Sequence, residues 1–380
     1  MSAPVLRKRK PKATRTRKSS NHRQPHTGKS WSIRLRVWIR KPLFWVAVAA
    51  MGLSVAGLSF VYLLAPNIKR LENPAFLYVP TGATYEQVID SLQSGSYLRS
   101  THTFRVVASM MGYPLAVEPG RYRLESGMSN LKLLFRLRNG LQEPVNLTFT
   151  ATRTLDRLGE KLARQLEPTA EEFNSAFLDT VLLSELGLGR EILMTQFIPN
   201  TYSMYWNTPA PDVLRRMRNE WERFWTDERR RRADSLRLTP TEISILASIV
   251  EAETSREDER ARVAGLYLNR LRSGWLLQAD PTLIFAWQDF SIRRVLKKHK
   301  EIDSPYNTYL YPGLPPGPIN CPSIASIDAV LQPEQHDYFF MVARPDFSGY
   351  HNFYGEDQYR QHVNAGNRYR LKLAQMNIRN

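Results

Sequence analysis

The sequence contains a single cysteine, Cys321, so no disulfide can close within the chain and no cysteine-based zinc site can form. Its seven histidines never fall into an H-E-x-x-H pattern. A Walker-type loop, a Rossmann glycine fingerprint and a G-x-S-x-G elbow are all missing. Metal, nucleotide and serine-hydrolase chemistry therefore have no sequence signal, and neither a metal nor a cofactor is expected. Acid is also missing from the first 42 residues. They hold 14 Lys and Arg, from Arg7-Lys8-Arg9-Lys10 to Arg40-Lys41, with no Asp or Glu. Those 14 charges leave +3 of the net +17 for the rest of the chain.

A long run of like charge has the composition of a solvated tail. Beside a membrane span it marks the cytoplasmic side and attracts anionic lipid. Nucleic-acid binding is disfavoured, because no aromatic residue interleaves the charges before Trp31. Residues 43–65 then form 23 uncharged, mostly apolar residues. A helix of that length spans roughly 34 Å, enough for a bilayer core of about 30 Å. It starts too far from the N-terminus for a cleaved signal peptide, and Trp45 and Tyr62 suit the two interfaces. The expected topology is single-pass, with the N-terminus cytoplasmic and residues 66–380 outside.

The most informative stretch is Ile249-Val250-Glu251-Ala252-Glu253-Thr254. Thr239-Pro240-Thr241-Glu242 reads as a capping box with Pro at the first helical position, so a helix opens there. Ile243, Leu246, Ala247, Val250 and Thr254 share one face, with Ile245 and Ile249 on another, which predicts a buried helix. A glutamate in such surroundings tends to keep its proton, and a carboxylic acid protonated near neutral pH is what glycosidic cleavage needs at the leaving oxygen. At about 100° per residue, Glu251 and Glu253 project to opposite flanks. Periodicity alone does not choose between them.

Around this helix the outer part is long enough for two domains. Leu77-Tyr78-Val79-Pro80 predicts a strand, followed by a helix opened by Thr84-Tyr85-Glu86-Gln87 and ended near Gly95. Residues 145–150 alternate like a strand before a helix opened by Thr154, as if a degenerate copy of the first unit. Between them Pro119 to Leu124 predicts a turn and strand, and Ser129 a helix closed by Gly140. Leu214, Met217, Trp221, Phe224 and Trp225 predict a helical core face flanked by arginines. Ser255-Arg256-Glu257-Asp258 is expected to cap a further helix carrying Val263, Leu266, Tyr267 and Leu271 and stopped by Gly274. From Gln278 onward the chain is expected to be loop-rich, with Gly313-Leu314-Pro315-Pro316-Gly317-Pro318 as a stiffened loop and residues 338–343 as a buried strand.

The order of five motifs resembles the YceG-like, or MltG-type, endolytic murein transglycosylases. They are Ser248 to Thr254, Asn269-Arg270-Leu271, Leu277 to Thr282, Tyr306-Asn307-Thr308-Tyr309 and Gly313 to Ile319. Val79-Pro80-x-Gly82 and Gly127-Met128-Ser129 resemble that family's LysM-like region, and the likeness covers about residues 75–370. The resemblance implies an α+β fold divided into a basic tail (1–42), a transmembrane helix (43–65), a LysM-like α+β module (66–167) and a mixed α/β catalytic domain (168–380). It implies a bacterial inner-membrane enzyme facing the periplasm or wall. Such an enzyme cleaves the β-1,4 bond from N-acetylmuramic acid to N-acetylglucosamine and leaves a 1,6-anhydromuramic end, ending nascent strands beside peptidoglycan synthases.

The family's catalytic glutamate, the first of its E-x-E-T motif, carries over to Glu251, with Glu253 in a supporting position. Where the family has F-P-D-T-Y, this chain has Asn200 in place of the acid, within Phe197-Ile198-Pro199-Asn200-Thr201-Tyr202. Gln278, Asp280, Thr282, Asn307 and Tyr309 are the candidates for holding the sugar. The rival readings are a water-using muramidase, which would leave reducing ends, and a non-catalytic wall-binding scaffold that recruits synthases.

Overall fold

The computed structural model describes residues 42–375, so the basic tail lies outside the described residues except for its last position. The chain divides into two units, meeting at Val61 and Tyr62. In the first, α1 (Pro42–Ser59) carries no charged residue and buries none of its side chains; a wider helical turn, Phe60–Leu64, follows it across the boundary. Residues Pro42–Leu64 are long and apolar enough to cross a membrane.

The second unit is built on three hydrophobic cores that follow one another along the sequence. The first begins with β1 (Ala75–Val79). Next comes α2 (Tyr85–Ser94), whose N-cap Thr84 and Gln87 exchange hydrogen bonds as a capping box. Then come α3 (Thr101–Met110), β2 (Gly120–Leu124) and α4 (Asn130–Arg138). β1 and β2 pair antiparallel with Leu77 opposite Tyr122. Alternation sends Leu77 and Val79 inward onto Ile89, Leu92, Phe104 and Leu134.

The second core starts with β3 (Val145–Thr148), α5 (Leu155–Ala163), α6 (Ala170–Leu178) and α7 (Thr180–Glu185). β4 (Thr201–Met204) pairs antiparallel with β3, Leu147 lying opposite Tyr202. Leu147, Leu158 and Leu162 therefore pack with Phe173, Phe177 and Phe197. α8 (Ala210–Phe224) bridges to the third core, with Leu214 and Met217 in the second and Trp221 in the third.

The third core carries the two glutamates. It comprises α9 (Asp227–Ser235), α10 (Pro240–Glu253), α11 (Arg260–Arg272), α12 (Asp280–Trp287) and α13 (Ile324–Leu331). β5 (Tyr338–Ala343) and β6 (His351–Gly355) pair antiparallel, and α14 (Tyr359–Gln375) follows. α10 starts on the capping box of Thr239 and Glu242 with Pro240 in its first turn, and its residues 243–250 are all buried.

Three expectations about local structure need correction. Ser255 caps nothing: a short 3-10 turn at Glu257–Glu259 lies between it and α11, and the N-cap position of α11 falls to Glu259, whose carboxylate is taken by Thr254 and His351. The stretch after Gln278 is loop-rich as expected but also holds a short helix not expected there, with Pro281 in its first turn and its end where Gln288 turns left-handed at φ 53°. Strand β5 is only partly covered, with Phe340 its single buried residue, because its sheet has just two strands.

Candidate active site

The last two turns of α10 are held by four separate sets of contacts. Ser248, fully buried, donates to the Ile245 carbonyl at 2.6 Å and accepts the Ile319 N–H at 3.0 Å. Its own carbonyl accepts the Asn320 side-chain amide at 2.8 Å. The stiff Pro/Gly loop is thereby tied to the glutamate helix. Its Gly317 tolerates no side chain, because a Cβ there would lie 2.0 Å from the Glu191 carbonyl oxygen.

Glu251 faces α13. Its Oε2 accepts the Ser323 N–H at 2.8 Å, the Ser323 hydroxyl at 2.5 Å and the Ser326 hydroxyl at 2.7 Å. Ser323 is the N-cap of α13, so the carboxylate sits where a helix N-terminus favours negative charge. Arg260 Nη2 stands 3.9 Å from the other oxygen, and Arg260 Nη1 reaches Ser323 Oγ at 3.3 Å. Glu251 thus joins α10, α11 and α13.

Glu253 faces elsewhere. Its Oε1 accepts the hydroxyl of Tyr267 on α11 at 2.6 Å. Burial pushes this carboxyl up from an ordinary 4.5 to about 7; the Tyr267 hydrogen bond opposes the rise, Asp280 adds to it, and Arg270 opposes it. Burial likewise pushes the Tyr267 hydroxyl well up, and holds the Arg270 guanidinium below its ordinary range. Arg270 is fixed by the Leu277 carbonyl and, at 2.8 Å, by that of Phe339. Beside this group Tyr309 donates to Asp280 Oδ1 at 2.6 Å. The Tyr309 hydroxyl is pushed up by its burial, with Asp280 next in effect and Glu253 contributing.

Thr254, the C-cap of α10, is buried and donates to Glu259 Oε2 at 3.3 Å. Glu259, 2% exposed, also meets His351 Nδ1 at 2.9 Å and its backbone N–H at 2.8 Å. The end of the glutamate helix is in this way fastened to the start of β6.

The candidates separate along these lines. Glu253, Asp280 and Tyr309 come together, with the exposed Gln278 on the loop just before Asp280 in a left-handed conformation at φ 50°. Thr282 and Asn307 do not offer a surface to a sugar, since both are 0% exposed. Thr282 Oγ1 meets the Ala279 carbonyl and Thr308 Oγ1, each at 2.8 Å. The Asn307 amide donates to the carbonyls of Lys300 at 3.0 Å and Ile302 at 2.8 Å. Asn200 is exposed, and its side-chain oxygen accepts the Thr201 N–H at 2.8 Å at the start of β4.

Sequence reasoning missed Tyr267, Arg270, Ser323 and Ser326. Tyr267 sits on the apolar face of α11 and reads as core. The only available signal was that a buried tyrosine needs a partner for its hydroxyl.

A carboxyl that titrates at about 7 is divided between its two forms near neutral pH. It can release a proton to one oxygen and take one from another within a single cycle.

Comparison with known proteins gives one consistent result. A family model described as the YceG-like family matches residues 77–368. An endolytic murein transglycosylase of Bacillus subtilis is 25% identical over 312 residues, covering 76% of this chain and 85% of that protein. One of Streptococcus pneumoniae is 26% identical over 300 residues, 70% of this chain, and the match spans about half (53%) of its length. Among solved structures, a yceG-like protein of Listeria monocytogenes shares the fold at a TM-score of 0.50 and 21% identity, over 76% of this chain and 99% of that one.

Proposed function

The chain belongs to the YceG-like family, and on that premise we propose that it is a lytic transglycosylase that cuts within murein glycan strands. The observation that carries the reading is the Glu253 carboxyl, which burial brings to about 7 beside Asp280 and Tyr309. Relatives named endolytic murein transglycosylases supply the substrate class.

We assign the proton transfers to Glu253. Protonated, it gives its proton to the glycosidic oxygen as the bond to muramic C1 breaks. The C6 hydroxyl oxygen then bonds to C1 and its proton returns to the same carboxylate. The 1,6-anhydro ring closes without water, and the enzyme is restored. One carboxylate suffices, unlike the two that flank the bond in most glycoside hydrolases. The substrate's N-acetyl group can steady C1, as in substrate-assisted glycosidases. Asp280 and Tyr309, with Gln278 on the neighbouring loop, would orient the sugar. Thr282 and Asn307 would shape the loops that carry them.

The resemblance assigned this chemistry to Glu251. The geometry favours Glu253, because Glu251 Oε2 already accepts three hydrogen bonds that hold α13. In this reading Pro42–Leu64 anchors the enzyme in the cell membrane with the basic tail inside. The 66–167 segment serves as a LysM-like glycan-holding module, residues 168–380 as the catalytic domain, and cleavage ends nascent strands beside synthases.

The test uses the full-length protein in detergent on purified peptidoglycan, with product ends read by mass spectrometry. Anhydromuramic ends that vanish in Glu253→Gln and persist in Glu251→Gln are expected. The opposite pattern moves the acid role to Glu251. Reducing ends make the protein a hydrolase, and glycan binding without cleavage makes it a scaffold.

A further inference from the structure

The segment from Gln288 to Ile302, between α12 and the Tyr306–Tyr309 loop, carries five cations within eight residues: Arg293, Arg294, Lys297, Lys298 and Lys300. The first four are exposed, and among the described residues none of the four makes a side-chain hydrogen bond or ion pair. Of the nearby acids, Asp289 is engaged by the hydroxyl and N–H of Ser291, Asp303 accepts from Tyr311, and the exposed Glu301 makes no ion pair with the strip among the described residues. The arginines of α8 and α9 behave otherwise. Arg215, Arg216, Arg218, Arg223, Arg230 and Arg232 each meet a carboxylate. Arg229 meets Asp328, so of the eight arginines on those two helices Arg231 alone lacks a carboxylate among the described residues, whereas all four cations of the 293–298 strip leave their charge open.

The C-terminal part of this segment, Leu296 to Ile302, is held in place beside Tyr309. Trp287 Nε1 donates to the His299 carbonyl at 3.1 Å, and His299 Nδ1 accepts the Leu296 N–H at 3.0 Å. The buried Asn307 amide grips the carbonyls of Lys300 and Ile302. Lys300 Nζ lies 4.0 Å above the ring of Tyr309, whose hydroxyl bonds Asp280. Four like charges on a segment fastened at its C-terminal end repel one another, and an anion arriving there relieves that repulsion. A fastened strip also loses little freedom when it binds.

The sugar rings of murein are neutral, and its negative charge hangs from the lactyl arm of each muramic residue. We propose that Arg293, Arg294, Lys297 and Lys298 bind the carboxylates of the peptide stems carried by the muramic units next to the cut. This rests on the reading of the neighbouring site as one that cleaves glycan. It makes the enzyme selective for strands that still bear their peptides, as newly made strands do.

The test measures co-sedimentation of full-length protein in detergent with three insoluble glycans. One bears its stems, one bears stems whose carboxyls have been amidated, and one has been stripped to lactyl carboxylates by an amidase. The variant is Arg293→Gln, Arg294→Gln, Lys297→Gln and Lys298→Gln combined, with its fold checked by melting. Wild type should bind stem-bearing glycan roughly tenfold tighter than the amidated form, the size expected of several exposed ion pairs acting together. That preference should fall as salt is raised and vanish in the variant.

Equal binding of stem-bearing and amidated glycan by wild type would overturn the proposal, as would a preference that the variant keeps. Tightest binding to stripped glycan would give the strip to the lactyl carboxylate instead. Capture by anionic lipid vesicles, lost in the variant and without any glycan preference, would make it a membrane contact. Cleavage is read separately by product ends. A stem preference without cleavage sinks the enzymatic reading and leaves the strip standing, while anhydro ends without a preference do the reverse.

Discussion

The hydroxyl of Tyr267 and the carboxyl of Glu253 lie 2.6 Å apart, joining the buried face of α11 to the last residue of α10. Burial and this hydrogen bond act on Glu253 in opposite directions, and burial prevails. The phenol therefore tunes the acid as well as placing it.

Replacing Tyr267 with Phe removes the lowering influence and keeps the ring. Glu253 should then titrate above about 7, and its acid form should persist to higher pH. A hydrogen bond worth about 1 kcal/mol corresponds to about 0.7 pKa unit. The alkaline limb of the pH profile of kcat/KM should move up by roughly that amount. An unmoved limb would show that another group controls it.

Glu253→Gln should be inactive yet more stable than wild type at high pH. The folded carboxyl titrates at about 7 and the ordinary one at 4.5, so the folded state holds this proton more tightly. Its contribution is present below the ordinary value, falls as pH rises toward about 7, and is absent above. At about 1.4 kcal/mol per unit, the rise from 4.5 to about 7 sets the loss at no more than about 3.5 kcal/mol. Glutamine does not titrate, so denaturant midpoints should favour the variant at pH 8 and converge with wild type near pH 5. A difference that stays the same from pH 5 to pH 8 would mean that the carboxyl is not buried as described.

The glutamate helix itself was readable from sequence. Thr239, Pro240 and Glu242 lie within four residues of one another, and the capping box they form is local chemistry. The division of labour between the glutamates was not readable, because it depends on Ser323, 72 residues beyond Glu251, and on Tyr267, 14 beyond Glu253. Asn307 illustrates the same limit. Its amide suits a sugar, but folding turns it inward onto two carbonyls of its own loop. The helix at Asp280–Trp287 was hidden for a different reason. It has just eight residues, too few for apolar periodicity to show against a loop-rich background.

Glu251 should matter for stability before it matters for chemistry. Glu251→Ala leaves the Ser323 N–H without its acceptor and removes the carboxylate facing Arg260, for a loss of roughly 2–4 kcal/mol. Glu251→Gln keeps an acceptor oxygen and should cost less. Both variants, assayed well below their melting temperatures, should still produce anhydromuramic ends. Full melting stability with no cleavage would contradict this.

The stiff loop offers a test of whether the glutamate helix is braced from outside. Gly313 and Gly317 belong to the same Pro/Gly run and differ in what surrounds them. Gly313 sits at φ +81° with nothing within 4 Å of a would-be Cβ, so alanine there meets backbone strain alone, about 1 kcal/mol. At Gly317 a Cβ would stand 2.0 Å from the Glu191 carbonyl oxygen and 2.8 Å from the Tyr306 hydroxyl. The first of these is backbone and cannot swing aside. The loop must retreat, and two residues on it carries Ile319, whose N–H bonds Ser248 in the heart of α10. Gly317→Ala should therefore cost roughly 2–4 kcal/mol, the range of overpacking plus a broken buried hydrogen bond. It should also lower kcat on glycan, which Gly313→Ala should not. Thermal melts and initial rates for the pair give the comparison. Equal losses in both would show that the loop is strained but does not brace the helix that carries Glu253.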